Sequence, residues 1–163
     1  MKKYLLLCML LSCFWGISQP ITVSTTQYTV EELITEVLIN TPCAEITNIT
    51  WKNGNQFGSV NSIGSFTNTN PNFPMASGIV LSSGAAMCAP GPYGSSSQNN
   101  GNGAWVGDTQ LTNYMNDYFQ ETANYHNASV IEFDFRPFTD EMSFNFLFAS
   151  QEYGGAQCTF SDP

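Results

Sequence analysis

Apolar and polar positions alternate twice near the end of the chain. In SVIEFDFRPF, Ile131, Phe133 and Phe135 fall on one side and Glu132 and Asp134 on the other. In EMSFNFLFAS, beyond the turn residues TDE, Phe144, Phe146 and Phe148 repeat the rhythm. A period of two marks a strand with one buried face, so the spacing predicts a β-hairpin whose six apolar side chains share one core. Upstream, ITVST at 21–25 reads as a short strand. A helix follows it: Thr29 and Glu32 form a capping box, and Val30, Leu33, Ile34, Val37 and Leu38 recur at helical spacing until Asn40 and Pro42.

EITNITWK alternates again, with Ile46 and Ile49 out of phase by one, and runs into Asn53-Gly54, a strong hairpin signal that makes FGSVNSIGSFTN its return strand. Residues 68–77 are an Asn/Pro loop. GIVLSSG, at 78–84, reads as a short strand buried on both faces. The Gly, Pro, Ser and Asn of residues 88–107 predict a long loop, after which Asp108 caps a second helix with Leu111, Tyr114, Met115, Tyr118 and Phe119 on one stripe. Many strands, two short helices and no internal repeat predict a mainly β fold of β-sandwich or jelly-roll type.

The first 18 residues differ in kind. Lys2 and Lys3, an apolar run from Tyr4 to Leu11, and small residues at Gly16 and Ser18 read as a secretory signal peptide cut before Gln19. The mature chain, 19–163, is then one domain or part of one. A lipobox ending at Cys13, making a lipoprotein, is the less favoured alternative. No apolar run approaches the roughly 20 residues that span a bilayer.

The formal charge is −9, and loss of Lys2 and Lys3 with the leader leaves only Lys52 and Arg136 as basic residues. Nucleic acid and anionic lipid need clustered lysine and arginine, so both are disfavoured as partners. Cations suit this charge better. Asp108, Asp140, Glu141, Glu152 and Asp162 fall in or beside loops, where carboxylates could hold calcium, although no EF-hand spacing is present. Structural zinc is not expected from three scattered cysteines, Cys43, Cys88 and Cys158, and the single histidine, His126. An odd cysteine count in an exported chain predicts one disulfide and a thiol with a partner elsewhere.

Glu132 and Asp134 stand two apart on one strand face, roughly 7 Å from each other, a spacing that glycoside hydrolysis uses. EFDF also matches part of the E-x-D-x-x-E strand of certain jelly-roll glycosidases, but Pro137 occupies the place of the second glutamate. Without that glutamate a solvated strand face is the simpler reading. Tyr93, Trp105 and Tyr153, in glycine-rich surroundings, are candidates to stack on a sugar or a protein partner, or else to cover the core edge.

GIVLSSG, SVIEFDFRPFTDEMSFNFLFASQEY and QCTFSDP, in that order and spacing, resemble the choice-of-anchor L domain family. Its members carry a G-I-V-L-S-[ST]-G strand, a long loop with Gly-Asp, an L-E-F-D-F strand, and F-x-F-x-F-A-S-E-E-Y followed by Cys and F-N-D-x-F-A-F. The helix YTVEELITEVLIN and the strand ITNITW suit the N-terminal part, so the likeness runs from Tyr28 to Pro163. Gln151 stands where the family often has Glu, and Ser161-Asp162-Pro163 replaces the usual Asn-Asp region.

The resemblance implies an extracellular module of large surface proteins with varied anchors, including type IX secretion signals of gliding bacteria, where it accompanies adhesin-like proteins. It supplies no catalytic residues. It also implies a strand after Asp162, so the chain is expected to be the N-terminal part of a longer protein continuing past Pro163. Cys158, in the interrupted region, is expected to stay free for a residue beyond, with Cys43 and Cys88 as the alternative pair. The reading is a secreted or surface-displayed adhesion module, with a surface glycan or a protein as ligand, rather than an enzyme. A carbohydrate-active enzyme using Glu132 and Asp134 is the alternative, and a structural spacer comes third.

Overall fold

A computed structural model of the chain describes residues 21–71, 73–90, 103–120 and 124–150. The leader, Cys13, Tyr93, Glu152, Tyr153, Cys158 and Asp162 lie outside the described residues. The fold is mainly β, with two antiparallel sheets and two short helices in a β-sandwich-like arrangement, as the pattern predicts.

The first sheet holds β1 (Thr22–Ser24), β3 (Ile63–Thr67) and β4 (Ser77–Leu81), with β3 in the middle. Register sets Val23 opposite Phe66 and Ile63 opposite Leu81. A central strand is covered on both sides, and residues 63–66 are accordingly all buried. GIVLSSG does not hold that central place: its strand, β4, is at the edge, only half-buried, with Leu81 exposed. Val23, Phe66 and Ala86 form a core cluster with Ile21, Phe73, Met75, Val80 and Ala89 around it, and Phe73 meets Phe66 edge-on at 6.0 Å.

The first helix forms as its signals predict. Thr29 Oγ1 accepts from the Glu32 N–H at 3.2 Å, and Glu32 Oε2 accepts from the Thr29 N–H at 2.7 Å. α1 (Val30–Glu32) continues into a π-helical stretch, Leu33–Leu38, closed by the Ile39 N–H donating to the Ile34 carbonyl. Leu33 and Ile34 are fully buried where this stretch packs on β3 and β4.

The second sheet pairs β2 (Ala44–Lys52) with β5 (Val130–Pro137). The phase slip between Ile46 and Ile49 is resolved by a bulge. Thr47 opposes Asp134 and Thr50 opposes Glu132, so one extra residue is inserted in β2, and Asn48 takes φ 54°. The insertion returns Ala44, Ile46, Ile49 and Trp51 to one half-buried face. Asparagine tolerates the left-handed region better than most residues, and the Asn48 amide also donates to Asp134 across the ladder.

Two sequence expectations fail here. Asn53-Gly54 makes no hairpin: Asn53, at φ −148°, caps a 3-10 turn over Gly54–Phe57 with Gln56 completing a reciprocal capping box, and β3 departs to the other sheet. A type I′ turn needs positive φ at both central residues. Nor is the predicted β5 hairpin formed: β5 pairs with β2, and residues 141–150 adopt neither helix nor strand. A strand is held in place by covering its apolar face, yet Phe144 and Phe146 are 69% and 80% exposed and contact each other at 6.3 Å.

A buried polar network joins the sheets at one end. The hydroxyl of Ser129, just before β5, lies 2.6 Å from both Ser62 Oγ and the Ser82 carbonyl, and the Gly54 N–H donates to Ser62 Oγ. Asn61 accepts from Asn53 and from the Ile63 N–H and donates to the Thr25 carbonyl. Ser62 is fully buried, so these partners are what make its burial tolerable.

Candidate functional site

Pairing β5 with β2 sends Phe133 and Phe135 to the inner face of the second sheet and leaves Glu132 and Asp134 on the exposed one. The inner face is not flat. Residues 38–41, leaving α1, run beside it, and the chain beyond β5 folds back as Thr139, Glu141, Met142, Ser143 and Phe144. Between them opens a groove of about 580 Å³, floored by Phe133 and Phe135, with Cys43 and Glu141 among its lining. Its walls are mainly hydrocarbon and aromatic. Met142 and Phe144, in that lining, are exposed, as are Phe138, Phe146 and Leu147 on the same stretch of chain.

The sequence-derived candidates are dispersed. Glu132 faces Thr50 and Asp134 is held by Asn48, both on the exposed face turned away from the groove. Carboxylates on an open strand face have neither the shelter nor the substrate cradle that acid–base chemistry needs. Trp105 is no surface platform: it is 2% exposed, and its Nε1–H donates to the Ala128 carbonyl at 2.9 Å.

Asp108 is engaged in structure. One carboxylate oxygen accepts from the Leu111 N–H at 2.9 Å, capping α2 (Thr109–Phe119), and the other lies 3.9 Å from Lys52 Nζ. Asp108→Ala should therefore lower stability by about 1 kcal/mol in urea denaturation, whereas Asp108→Asn, which can still cap, should cost only a few tenths. Of the apolar stripe predicted for α2, Met115 alone is buried; Leu111, Tyr114, Tyr118 and Phe119 are exposed, with Tyr114 and Tyr118 stacked at 4.5 Å.

Asp140 and Glu141 lie exposed in the turn after β5. Among the described residues no three His, Cys, Asp or Glu side chains gather into a group able to hold a metal ion. The Cys43 thiol is free and exposed, so Cys43 and Cys88 are not joined, and His126 is on the surface in an isolated bridge with Val106.

With this geometry in view, comparison with known proteins gives one match. A family model, the choice-of-anchor L domain, matches residues 22–163. The chain belongs to the choice-of-anchor L domain family. The match covers every element described above, and it supports the resemblance read from the strand motifs. Choice-of-anchor L membership makes the chain a surface-associated module of a bacterial protein, with an extracellular or surface location, in a family that is not a known enzyme family. No curated protein and no solved structure matches the chain. No described helix is long and apolar enough to cross a membrane.

Sequence reasoning missed the groove. Its floor was signalled by the alternation of Phe133 and Phe135, but its wall comes from residues 38–41, nearly a hundred positions away, and no local pattern announces that meeting.

Proposed function

We propose that this choice-of-anchor L domain is an exported, surface-displayed adhesion module that contacts protein partners through the groove and the aromatic segment beside it. The supporting observation is the groove floored by Phe133 and Phe135, with Met142 and Phe144 in its lining yet exposed, and Phe138, Phe146 and Leu147 exposed on the same stretch of chain. Monomeric proteins rarely expose contiguous apolar patches beyond a few hundred Å², and larger ones mark interaction sites. A glycan site calls for aromatic platforms flanked by several hydrogen-bonding side chains. The lining surface here is mainly apolar, from Leu, Ile, Ala, Phe, Pro and Met, with Asn40, Thr41, Thr139, Glu141 and Ser143 as its polar side chains, so the glycan array is the arm that decides between the two ligand classes. The buried Trp105 removes one of the three aromatic candidates for stacking on sugar. Export rests on the leader read at residues 1–18.

Display of the chain on a non-adherent bacterium, assayed on a panel of immobilised proteins and on a glycan array, tests the reading. Cells should be retained on protein surfaces and not on glycans. Retention on glycans alone would overturn the protein-binding reading. Hydrolysis of a glycan that disappears in Glu132→Gln would favour the enzyme, and no retention on either surface, with display verified by antibody, would favour a spacer.

A further inference from the structure

The groove carries one charge. Its walls are apolar apart from hydroxyl, amide and thiol groups, and Glu141 is the only charged residue in its lining. That carboxylate is exposed, as is Asp140 next to it, and neither side chain has an ion-pair or hydrogen-bond partner among the described residues. Beyond the leader the chain has two basic residues, and both face carboxylates elsewhere. Lys52 lies 3.9 Å from Asp108, and Arg136 lies 3.5 Å from Glu45 across the β2–β5 ladder. The negative charge at the groove is therefore not offset from within the fold.

We propose that the groove takes a basic segment of the protein partner, in which a lysine or arginine reaches Glu141 while neighbouring apolar side chains lie on Phe133 and Phe135. The assignment rests on the protein-binding reading and specifies the partner's chemistry. Lysine and arginine suit both parts of the site, because their hydrocarbon stems pack on apolar surface while the charged head reaches a carboxylate. The rings of Phe133, Phe135 and Phe144 in the lining favour the same sign, since an aromatic face is negative and attracts a cation.

Other occupants fit less well, each for a physical reason. Calcium takes about six to eight oxygen ligands, and among the described residues no three acidic, His or Cys side chains gather. Nucleic acid or anionic lipid would meet Glu141 with like charge. A second copy of this chain would bring only Lys52 and Arg136, both already beside carboxylates, and a net charge of the same sign. A wholly apolar segment would cover Phe133 and Phe135 but strip water from Glu141 without replacing it.

Retention of displaying cells on an immobilised protein that holds them, before and after its lysines are acetylated and its arginines capped with a dicarbonyl reagent, tests the assignment. Capping should lower retention about fivefold or more, and Glu141→Gln should lower retention on the unmodified surface by a similar factor, as loss of one charge pair at a partly desolvated contact does. In Glu141→Gln, capping should then have little further effect. Glu132→Gln removes the same charge from the opposite face of the sheet and should leave retention unchanged. Retention indifferent to capping overturns the basic partner and leaves protein binding standing. Equal losses from Glu141→Gln and Glu132→Gln overturn it too, since net charge and not the groove would then set the preference. Stronger retention on a surface coated with the chain itself overturns it in favour of a second copy. Retention on no protein surface is a different result, which removes the protein-binding reading and the basic partner with it.

Discussion

Trp105→Ala should lower folding stability by about 3–5 kcal/mol, read as a shift in the urea midpoint at unchanged slope. The ring is almost wholly buried and rests on Gly54, where an added Cβ would lie 2.7 Å from the ring and 2.4 Å from the Val60 carbonyl oxygen. Its Nε1–H is also the donor to the Ala128 carbonyl. Truncation therefore leaves a cavity and removes a hydrogen bond together, next to the polar network that joins the sheets. Trp105→Phe keeps much of the packing and should cost clearly less. Gly54→Ala should destabilise through the backbone clash even with Trp105 intact. An alanine variant as stable as the parent would mean that the ring is not core, and would restore it as a surface platform.

How much of this could be read in advance follows the range of the interactions involved. The capping box of α1 and the Asp108 cap of α2 are legible because each is a contact between residues three apart. The two-faced character of β5 is legible for the same reason: alternation is a local property. What failed was partner choice. Asn53-Gly54 promised a hairpin, but Gln56 offered Asn53 a reciprocal cap, and the buried Gly54 let Trp105 close over the turn. The phase slip at Ile46 and Ile49 is visible in the sequence, but that a single αL residue at Asn48 absorbs it as a bulge depends on the pairing with β5. For Trp105 among glycines, local sequence leaves two readings open, a stacking platform or a cover for the core edge, and the structure takes the buried one. The glycine that lets the ring bury is Gly54, some fifty positions away, which no local pattern connects to it.

The second large effect concerns the aromatic segment. Phe144→Asp combined with Phe146→Asp should reduce retention of displaying cells on protein surfaces at least tenfold, while the folding midpoint moves by no more than about 0.5 kcal/mol. Both parts rest on exposure. Neither ring is buried in the fold, so little folding energy is lost, whereas a buried aromatic anchor at an interface is commonly among its strongest contributors. A carboxylate placed there must be desolvated on contact, which opposes binding further. Glu132→Ala with Asp134→Ala, on the other face of the same strand, should leave retention unchanged. Equal loss from both pairs would point to a general effect of the sheet rather than to one face of it.

Under the proposed function, the inner face of the β2–β5 sheet, with the groove and the segment after β5, is the contact surface of this choice-of-anchor L domain. Carbene footprinting of the full chain, free and bound to a protein surface that retains it, tests this most directly. The account predicts that labelling falls at Phe133, Phe135, Met142, Phe144 and Phe146 on binding and is unchanged at Glu45, Thr50 and Glu132. Protection confined to the Thr50–Glu132 face, or to Tyr114 and Tyr118 on α2, with the groove residues labelled as in the free chain, would contradict it.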